Sequence, residues 1–105
     1  MAKNTEKFLS MLGLCRRAGR VVIGTPLVTG SLPSGKVKIV YYTYDASSNT
    51  KKRITDKCKF YNVNSVMVEI PSERVGKMVG MNAPVCVIGV TDDNFSKQLN
   101  TLIQE

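Results

Sequence analysis

Hydrophobic positions along the chain follow two different spacings. Between Phe8 and Cys15 the apolar residues recur every three or four positions, which predicts one face of a helix. Val37–Tyr42 and Val85–Val90 are instead almost continuous apolar runs, typical of strands buried on both faces. Residues that begin or end helices, such as Pro, Gly, Ser and Asp, lie between these segments.

Five helices and four strands are predicted in alternation. The helices are expected to begin at Asn4 or Thr5, at Gly24-Thr25-Pro26 (turn, N-cap and first helical residue), at Asp45–Asn49, at Pro71-Ser72 and at Thr91-Asp92-Asp93. The strands are expected at Arg20–Ile23, Val37–Tyr42, Val66–Ile70 and Val85–Val90. Strands separated by helices favour a sheet covered on both faces. We therefore expect an α/β fold, a three-layer α/β/α sandwich with about four strands. A chain of 105 residues indicates one domain, residues 1–105.

The charge balance indicates the class of partner. Fifteen Lys and Arg oppose eight Asp and Glu, which gives a net charge of +7. A small basic domain favours an anionic partner, most often nucleic acid, whereas the simpler interpretation is solubility alone.

The chain lacks the residues that metal binding and nucleophilic catalysis most often use. The chain has no histidine, and its three cysteines form no Cys-x-x-Cys motif, so we expect no metal site, no cofactor and no catalytic residues. Unpaired cysteines favour a cytoplasmic location. The N-terminal segment carries charges where a signal peptide would be apolar. No apolar run approaches the ~20 residues of a membrane span, so we expect no membrane association.

Lys51, Lys52 and Arg53 directly follow the helix start at Asp45–Asn49. Cations beside a helix N-terminus are well placed to contact an RNA backbone. The alternative is a solvated helix face, on which Lys52 and Asp56 would form a surface ion pair. The sequence leaves both interpretations open.

Other basic residues are weaker candidates. Arg16, Arg17 and Arg20 lie near the end of the first helix, where cations are favourable in any case, and that interpretation is preferred. Lys36 and Lys38 flank a predicted strand and are either solvent-facing charges or phosphate contacts.

Three tyrosines follow one another closely near the end of the second predicted strand. Tyr41, Tyr42 and Tyr44 could each stack on a base. Because strands are enriched in tyrosine, core and rim positions are the preferred interpretation.

Three stretches resemble the bacterial YlxQ-like branch of the ribosomal protein L7Ae/L30e family, and together they cover nearly the whole chain. They are LGLCRRAGRVVIG (Leu12–Gly24), GKVKIVYYTYDASSNTKKRITDKCKFYNV (Gly35–Val63) and VIGVTDDNF (Val87–Phe95). The segment from Asp45 to Lys52, with Thr55-Asp56-Lys57-Cys58 and Tyr61-Asn62-Val63 after it, is the most specific part.

The resemblance implies a mixed four-stranded sheet and binding of kink-turns, which are sharply bent RNA helices closed by sheared G·A pairs. Family members clamp the RNA with a motif that opens the second helix, the loop after the second strand and an apolar loop before the last strand. The predicted RNA-binding residues are Gly24, Thr25, Pro26, Leu27, Val28, Lys36, Ser47, Ser48, Asn49, Lys51, Lys52, Met81, Asn82, Ala83 and Pro84.

The motif that opens the second helix is altered in this chain. Gly24 matches the family's glycine, but Pro26, Leu27 and Gly30 stand where the family has Asn, Glu and Lys. The missing Asn and Glu would hydrogen-bond guanine edges, and the missing Lys would neutralise phosphate. Shape and phosphate contacts are therefore expected to dominate recognition.

Two functions from different classes follow. The first is an RNA-binding accessory protein that is associated with the ribosome, lacks catalysis, is a monomer, and has ribosomal or translation proteins as its candidate protein partners. The second is a protein-interaction module that has kept the fold and lost specific RNA binding, because Pro26 and Leu27 make the site less polar.

Overall fold

Helices and strands alternate along the chain in the predicted order. The structure, a computed structural model, describes residues 4–104, so residues 1–3 of the N-terminal segment lie outside it. The elements are α1 (Thr5–Arg17), β1 (Val21–Ile23), α2 (Thr25–Ser31), β2 (Ile39–Thr43), α3 (Ser48–Phe60), β3 (Asn64–Val68), α4 (Ser72–Met78), β4 (Val87–Val90) and α5 (Asp93–Gln104). A 3₁₀ turn over Leu32–Ser34 follows α2.

The bounds of the strands differ from the prediction because some buried residues lie outside the sheet. Val37 precedes β2, Val85 precedes β4 and Ile70 follows β3, yet these side chains are only 3%, 6% and 1% exposed. A short apolar run reports burial, and burial by itself does not distinguish a paired strand from the loop that enters it.

The sheet is mixed, as the resemblance implies. Its strand order is β1-β4-β2-β3. β4 lies antiparallel to both of its neighbours, whereas β2 and β3 are parallel. The parallel pair is joined through α3, the crossover that such a pair requires.

Helices cover both faces of the sheet, which confirms the three-layer α/β/α prediction. One face packs against α1, α4 and α5 through Phe8, Leu12, Val75, Val79, Leu99 and Ile103. The other face packs against α2 and α3 through Val28, Ile54 and Cys58. Val28 lies over Gly89 of β4, where an added Cβ would meet a Val28 methyl at 3.6 Å and a Val37 methyl at 3.2 Å.

Polar side chains cap two of the helices as predicted. The Ser47 hydroxyl accepts the Thr50 N–H at 3.1 Å, and Asp92 Oδ2 accepts the Phe95 N–H at 2.9 Å. The apolar spacing of Val75, Met78 and Val79 predicts that all three face the core, but Met78 is 36% exposed. Within residues 4–104, no helix has the length and apolar character needed to cross a membrane.

Candidate nucleic-acid interface

Three strands end at the same edge of the sheet, which we call the C-terminal edge. β1, β2 and β3 run in one direction and β4 runs in the other, so the segments after the first three strands lie beside the segment before β4. The Gly24 N–H donates to Val87 O and the Thr43 N–H donates to Cys86 O, each at 2.9 Å. The C-terminal edge comprises residues 24–28, 44–52, 69–72 and 81–86. The topology thus brings all three segments of the implied RNA clamp together.

The first segment turns sharply into α2 at Gly24. Gly24 has φ 94°, a conformation that a residue with a Cβ adopts only with strain. The turn leaves Pro26 exposed and Leu27 64% exposed. Val28, although predicted in the interface, is fully buried between α2 and the sheet. Its role is therefore packing, and Pro26 and Leu27 form the accessible part of this segment.

The second segment forms the start of α3. Ser47 is the N-cap residue, and the N–H groups of Ser48 and Asn49 follow it in the first turn. Ser47, Ser48 and Asn49 are all exposed. The first turn of a helix carries partial positive charge and N–H groups without intrahelical partners. This segment can therefore contact phosphate oxygens.

Asp45 connects this segment to α4. Its carboxylate accepts the Ser72 N–H at 3.1 Å and the Ser72 hydroxyl at 3.0 Å. The nearby Thr43 hydroxyl, and then the Ser72 donors, hold the pKa of Asp45 below its usual value against the opposing effect of desolvation. Asp45 is thus charged at neutral pH, and its role is to hold the start of α4 against the loop after β2. The sequence places Asp45 among capping residues, but it gives no sign of a partner 27 positions away.

Two of the cations after Ser47 differ in their pairing. Lys52 Nζ lies 3.2 Å from Asp56 Oδ2, and both side chains are exposed, which confirms the predicted surface ion pair. Lys51 forms no ion pair with the described residues. An exposed pair of this kind contributes less than about 1 kcal/mol, so Lys52 can exchange Asp56 for a phosphate at little cost.

The third segment, residues 81–84, lies against α4. The Met81 N–H donates to Gly76 O at 2.8 Å, and the Val85 N–H donates to Ser72 O at 3.0 Å. A Cβ at Gly76 would overlap the Ala83 carbonyl oxygen and lie 3.1 Å from the Ala83 carbonyl carbon. Gly76 is therefore the residue that allows this close approach, and the sequence did not single it out.

An open cavity of about 330 Å³ lies between α4 and this loop. Glu73 and Lys77 contribute its charged groups, and Met81 and Pro84 contribute its apolar surface. Met81 is 42% exposed. The loop therefore adds apolar side chains to the C-terminal edge, as the resemblance implies.

Lys36 is not brought to the C-terminal edge. It lies just before β2, and the neighbouring Lys38 N–H donates to Val90 O at the end of β4. Since β2 and β4 are antiparallel, the start of β2 and the end of β4 lie at the opposite edge of the sheet. The prediction that Lys36 lies in the interface is therefore wrong. A lysine beside a predicted strand does not indicate at which end of the sheet it will lie.

The three tyrosines occupy different environments. Tyr41 is buried and packs edge-to-face on Phe8, with ring centroids 5.1 Å apart. Tyr42 is half-buried, whereas Tyr44 is 47% exposed at the C-terminal edge. The preferred interpretation as core and rim residues is confirmed for Tyr41 and Tyr42.

The described residues contain no group of three or more His, Cys, Asp or Glu side chains that could hold a metal ion. Cys15 and Cys58 are buried and unpaired, and desolvation raises the pKa of each thiol to about 11. Both are protonated at neutral pH and are poor nucleophiles. The polar groups of the C-terminal edge are suited to binding an anionic surface.

The sequence and the fold match known proteins over most of the chain. A model of the ribosomal protein L7Ae/L30e/S12e/Gadd45 family matches residues 6–100. The RNA-binding protein YlxQ of Bacillus subtilis is 40% identical over 92% of this chain and 95% of its own length. The protein of the same name from Enterococcus faecium is 35% identical over 96% of this chain and 95% of its own length.

Solved structures match as well. A Bacillus halodurans protein of unknown function superposes with a TM-score of 0.87 and 36% identity, and the match covers 94% of this chain and 98% of that one. The 15.5kD RNA binding protein of Giardia lamblia superposes with a TM-score of 0.81, covering 99% of this chain and 88% of that one. Its identity is 13%, so it supports the fold alone.

Proposed function

The chain belongs to the ribosomal protein L7Ae/L30e/S12e/Gadd45 family, and from that premise we propose that it binds structured RNA at the C-terminal edge. Recognition uses the shape of the RNA and its phosphates, and the protein has no catalytic role. The observation that carries the proposal is the meeting of the Gly24 turn, the start of α3 and residues 81–84 at one edge of the sheet.

Electrostatics supports this placement. The net charge is +7, and the first turn of α3 presents N–H groups next to Lys51 and Lys52. Neutralising phosphates releases counterions, which favours binding and makes it depend strongly on salt. The rigid contacts from Asp45 to Ser72 and from α4 to residues 81–84 hold these groups in fixed relative positions.

Base-specific contacts contribute little at the start of α2. Pro26 and Leu27 offer no side-chain hydrogen bonds there, and one bidentate base contact is worth about 1–3 kcal/mol of discrimination. A protein without these contacts prefers a bent RNA mainly because more phosphates come within reach. The preference for a kink-turn over a straight duplex should therefore be small.

The proposal also covers the cellular location, the oligomeric state and the partners of the protein. The protein acts in the cytoplasm as a monomer on ribosomal or related structured RNA, and ribosomal or translation proteins are its candidate neighbours. The protein-interaction alternative has less support, because the two YlxQ relatives carry the name RNA-binding protein.

A binding titration tests the proposal. The purified protein is added to a labelled kink-turn and to an unkinked duplex of equal length, each at ~50 and ~200 mM salt. We expect both RNAs to bind, the kink-turn about tenfold more tightly, with affinities that fall by more than tenfold as salt increases.

Two outcomes would contradict it. Absence of binding to either RNA at the lower salt would favour the protein-interaction alternative. Binding to the kink-turn alone, with an affinity independent of salt, would mean that base contacts rather than phosphates dominate.

A further inference from the structure

Residues 36–38 and 57–60 lie together at the edge of the sheet opposite the C-terminal edge. Val37, which precedes β2, and Cys58, near the end of α3, belong to one buried cluster between these helices and the sheet. The lysines on either side of these two residues are all exposed, and we call them the lysine cluster: Lys36, Lys38, Lys57 and Lys59. Four positive charges therefore share one surface away from the proposed RNA interface.

The lysine cluster is not neutralised by the described residues. Within residues 4–104 its four ammonium groups form no ion pair, and only that of Lys38 has a hydrogen bond, to Gly35 O at 3.4 Å. Asp56, which is adjacent to Lys57 in the chain, is paired with Lys52. Like charges held close together create a positive potential that attracts an anionic ligand.

Phe60 projects from the same surface at the end of α3. Its side chain is 79% exposed, more than any other large apolar side chain of residues 4–104. The ring packs edge-to-face with that of Tyr61, with centroids 4.8 Å apart. The Val63 N–H donates to Cys58 O at 2.8 Å and Asn62 has φ 61°, the left-handed turn that commonly ends a helix. Phe60 is therefore held in a fixed position and remains accessible.

The electrostatics of the helix terminus explains only part of this arrangement. Cations in the last turn of a helix are favourable without any ligand, which accounts for Lys57 and Lys59. Lys36 and Lys38 lie outside α3, and Phe60 gains nothing from the helix dipole. A ligand that offers both negative charge and an aromatic face accounts for all of them.

We propose that the lysine cluster and Phe60 bind a segment of single-stranded RNA, at a second RNA site separate from the C-terminal edge. A base stacks on the Phe60 ring, and the lysines contact neighbouring phosphates. Aromatic side chains beside a positively charged surface are the usual means of binding single strands with little sequence preference. The bases of a duplex are already stacked and paired, so the site selects unpaired RNA.

The exposure of Phe60 favours RNA over an acidic peptide. A protein partner gains most of its affinity from side chains buried in pockets, whereas a base needs only one face of a projecting ring. RNA bound at the C-terminal edge can also reach this site, since the molecule measures 28–31 Å across and about 12 nucleotides at ~3.4 Å each span about 40 Å. This continuity rests on the proposed function, but stacking on Phe60 does not.

A tryptophan introduced at Phe60 tests the site directly, because the chain has no other tryptophan. The fluorescence of Phe60→Trp is titrated with an oligouridine of about 12 nucleotides, with an abasic oligomer of the same length and with a polyglutamate peptide of the same charge. We expect about twofold quenching by oligouridine, because the indole stacks on a base, and little change with the other two. Leu14→Trp is the matched control, because Leu14 is 48% exposed on α1, and its fluorescence should not respond.

Two variants measure the contributions of the ring and of the charges. Phe60→Ala should weaken binding of oligouridine about tenfold and leave the affinity for a kink-turn unchanged. Lys57→Ala/Lys59→Ala removes two phosphate contacts, each with a salt exponent of about 0.7 on a single strand, and should weaken binding of oligouridine about 25-fold at ~0.1 M salt. Leu14→Ala should change neither affinity.

The outcomes distinguish this inference from the proposed function. Absence of quenching in Phe60→Trp by oligouridine, or an unchanged oligouridine affinity of Phe60→Ala, would overturn the inference and leave kink-turn binding at the C-terminal edge standing. Equal quenching by the abasic oligomer or by polyglutamate would indicate a surface for anions in general or for an acidic protein, which would also overturn it. Quenching by oligouridine alone, in a protein that fails to bind the kink-turn, would support this site and overturn the proposed function.

Discussion

The double variant Lys51→Glu/Lys52→Glu will bind structured RNA about 100-fold more weakly than the unaltered protein at ~0.1 M salt. Each phosphate contact contributes a salt exponent of about 0.9 on a duplex, which corresponds to a factor of about 8 at that concentration. Loss of two contacts accounts for about 60-fold, and repulsion by the new carboxylates adds the remainder. The plot of log affinity against log salt should become shallower by about 1.8.

The matched control reverses the same number of charges at the opposite edge. Lys36→Glu/Lys38→Glu produces the same net charge but changes a region that the structure separates from the C-terminal edge. At ~0.1 M salt the screening length is about 10 Å, in a molecule whose principal extents are 31, 29 and 28 Å. We expect less than about a fivefold loss. Equal losses in the two variants would contradict the assignment of the interface.

Helix stability does not account for the expected loss. Lys52→Glu replaces the exposed pair with Asp56 by a like-charge pair, a change of about 0.5 kcal/mol. Circular dichroism should show an unchanged helix content. The loss of RNA affinity would then result from the lost phosphate contacts and not from unfolding of α3.

Gly76→Ala should lower the free energy of unfolding by about 2 kcal/mol, although alanine is the better helix residue. The new Cβ would overlap the Ala83 carbonyl oxygen, which is backbone and has little freedom to move. The loop is fixed on both sides by the bonds from Met81 to Gly76 and from Val85 to Ser72. Thermal denaturation should show the melting temperature falling by about 10 °C.

Gly30→Ala is the matched control for this substitution. Gly30 lies in α2, and an added Cβ would meet no atom within 4 Å. Here the helix propensity of alanine acts alone and should stabilise the protein by about 0.5–1 kcal/mol. A stability for Gly76→Ala that equals or exceeds that of Gly30→Ala would mean that the loop is not held against α4.

Loss of the loop position should also weaken RNA binding. Residues 81–84 form one of the three parts of the proposed interface, and Gly76 itself is buried beneath them. Gly76→Ala should therefore reduce affinity even at temperatures where the variant is fully folded. The loss of stability and the loss of RNA affinity would then both result from displacement of residues 81–84 by the new Cβ.

Local signals in the sequence were sufficient for the elements and their layers. Ser47 and Asp92 cap helices as their residue types indicate, because capping depends only on the next three residues. Apolar spacing predicts the helix faces because it too is a local pattern, with apolar residues three and four positions apart. The mixed sheet followed from the family resemblance.

Contacts between distant segments could not be obtained in this way. The Asp45–Ser72 bridge and the approach of Ala83 to Gly76 depend on the strand order, which apolar runs do not encode. The sequence predicts Val28 and Lys36 in the interface only because they lie close in the chain to other predicted RNA-binding residues. The structure buries the first and places the second at the opposite edge.

Amide chemical-shift mapping of the ¹⁵N-labelled protein with a kink-turn RNA tests the central claim most directly, because it reports every backbone position at once. We expect the largest changes within residues 24–27, 44–52 and 81–84, with little change around Lys36 and Lys38. Changes concentrated at the opposite edge, or along α1 and α5, would contradict the C-terminal edge as the RNA interface.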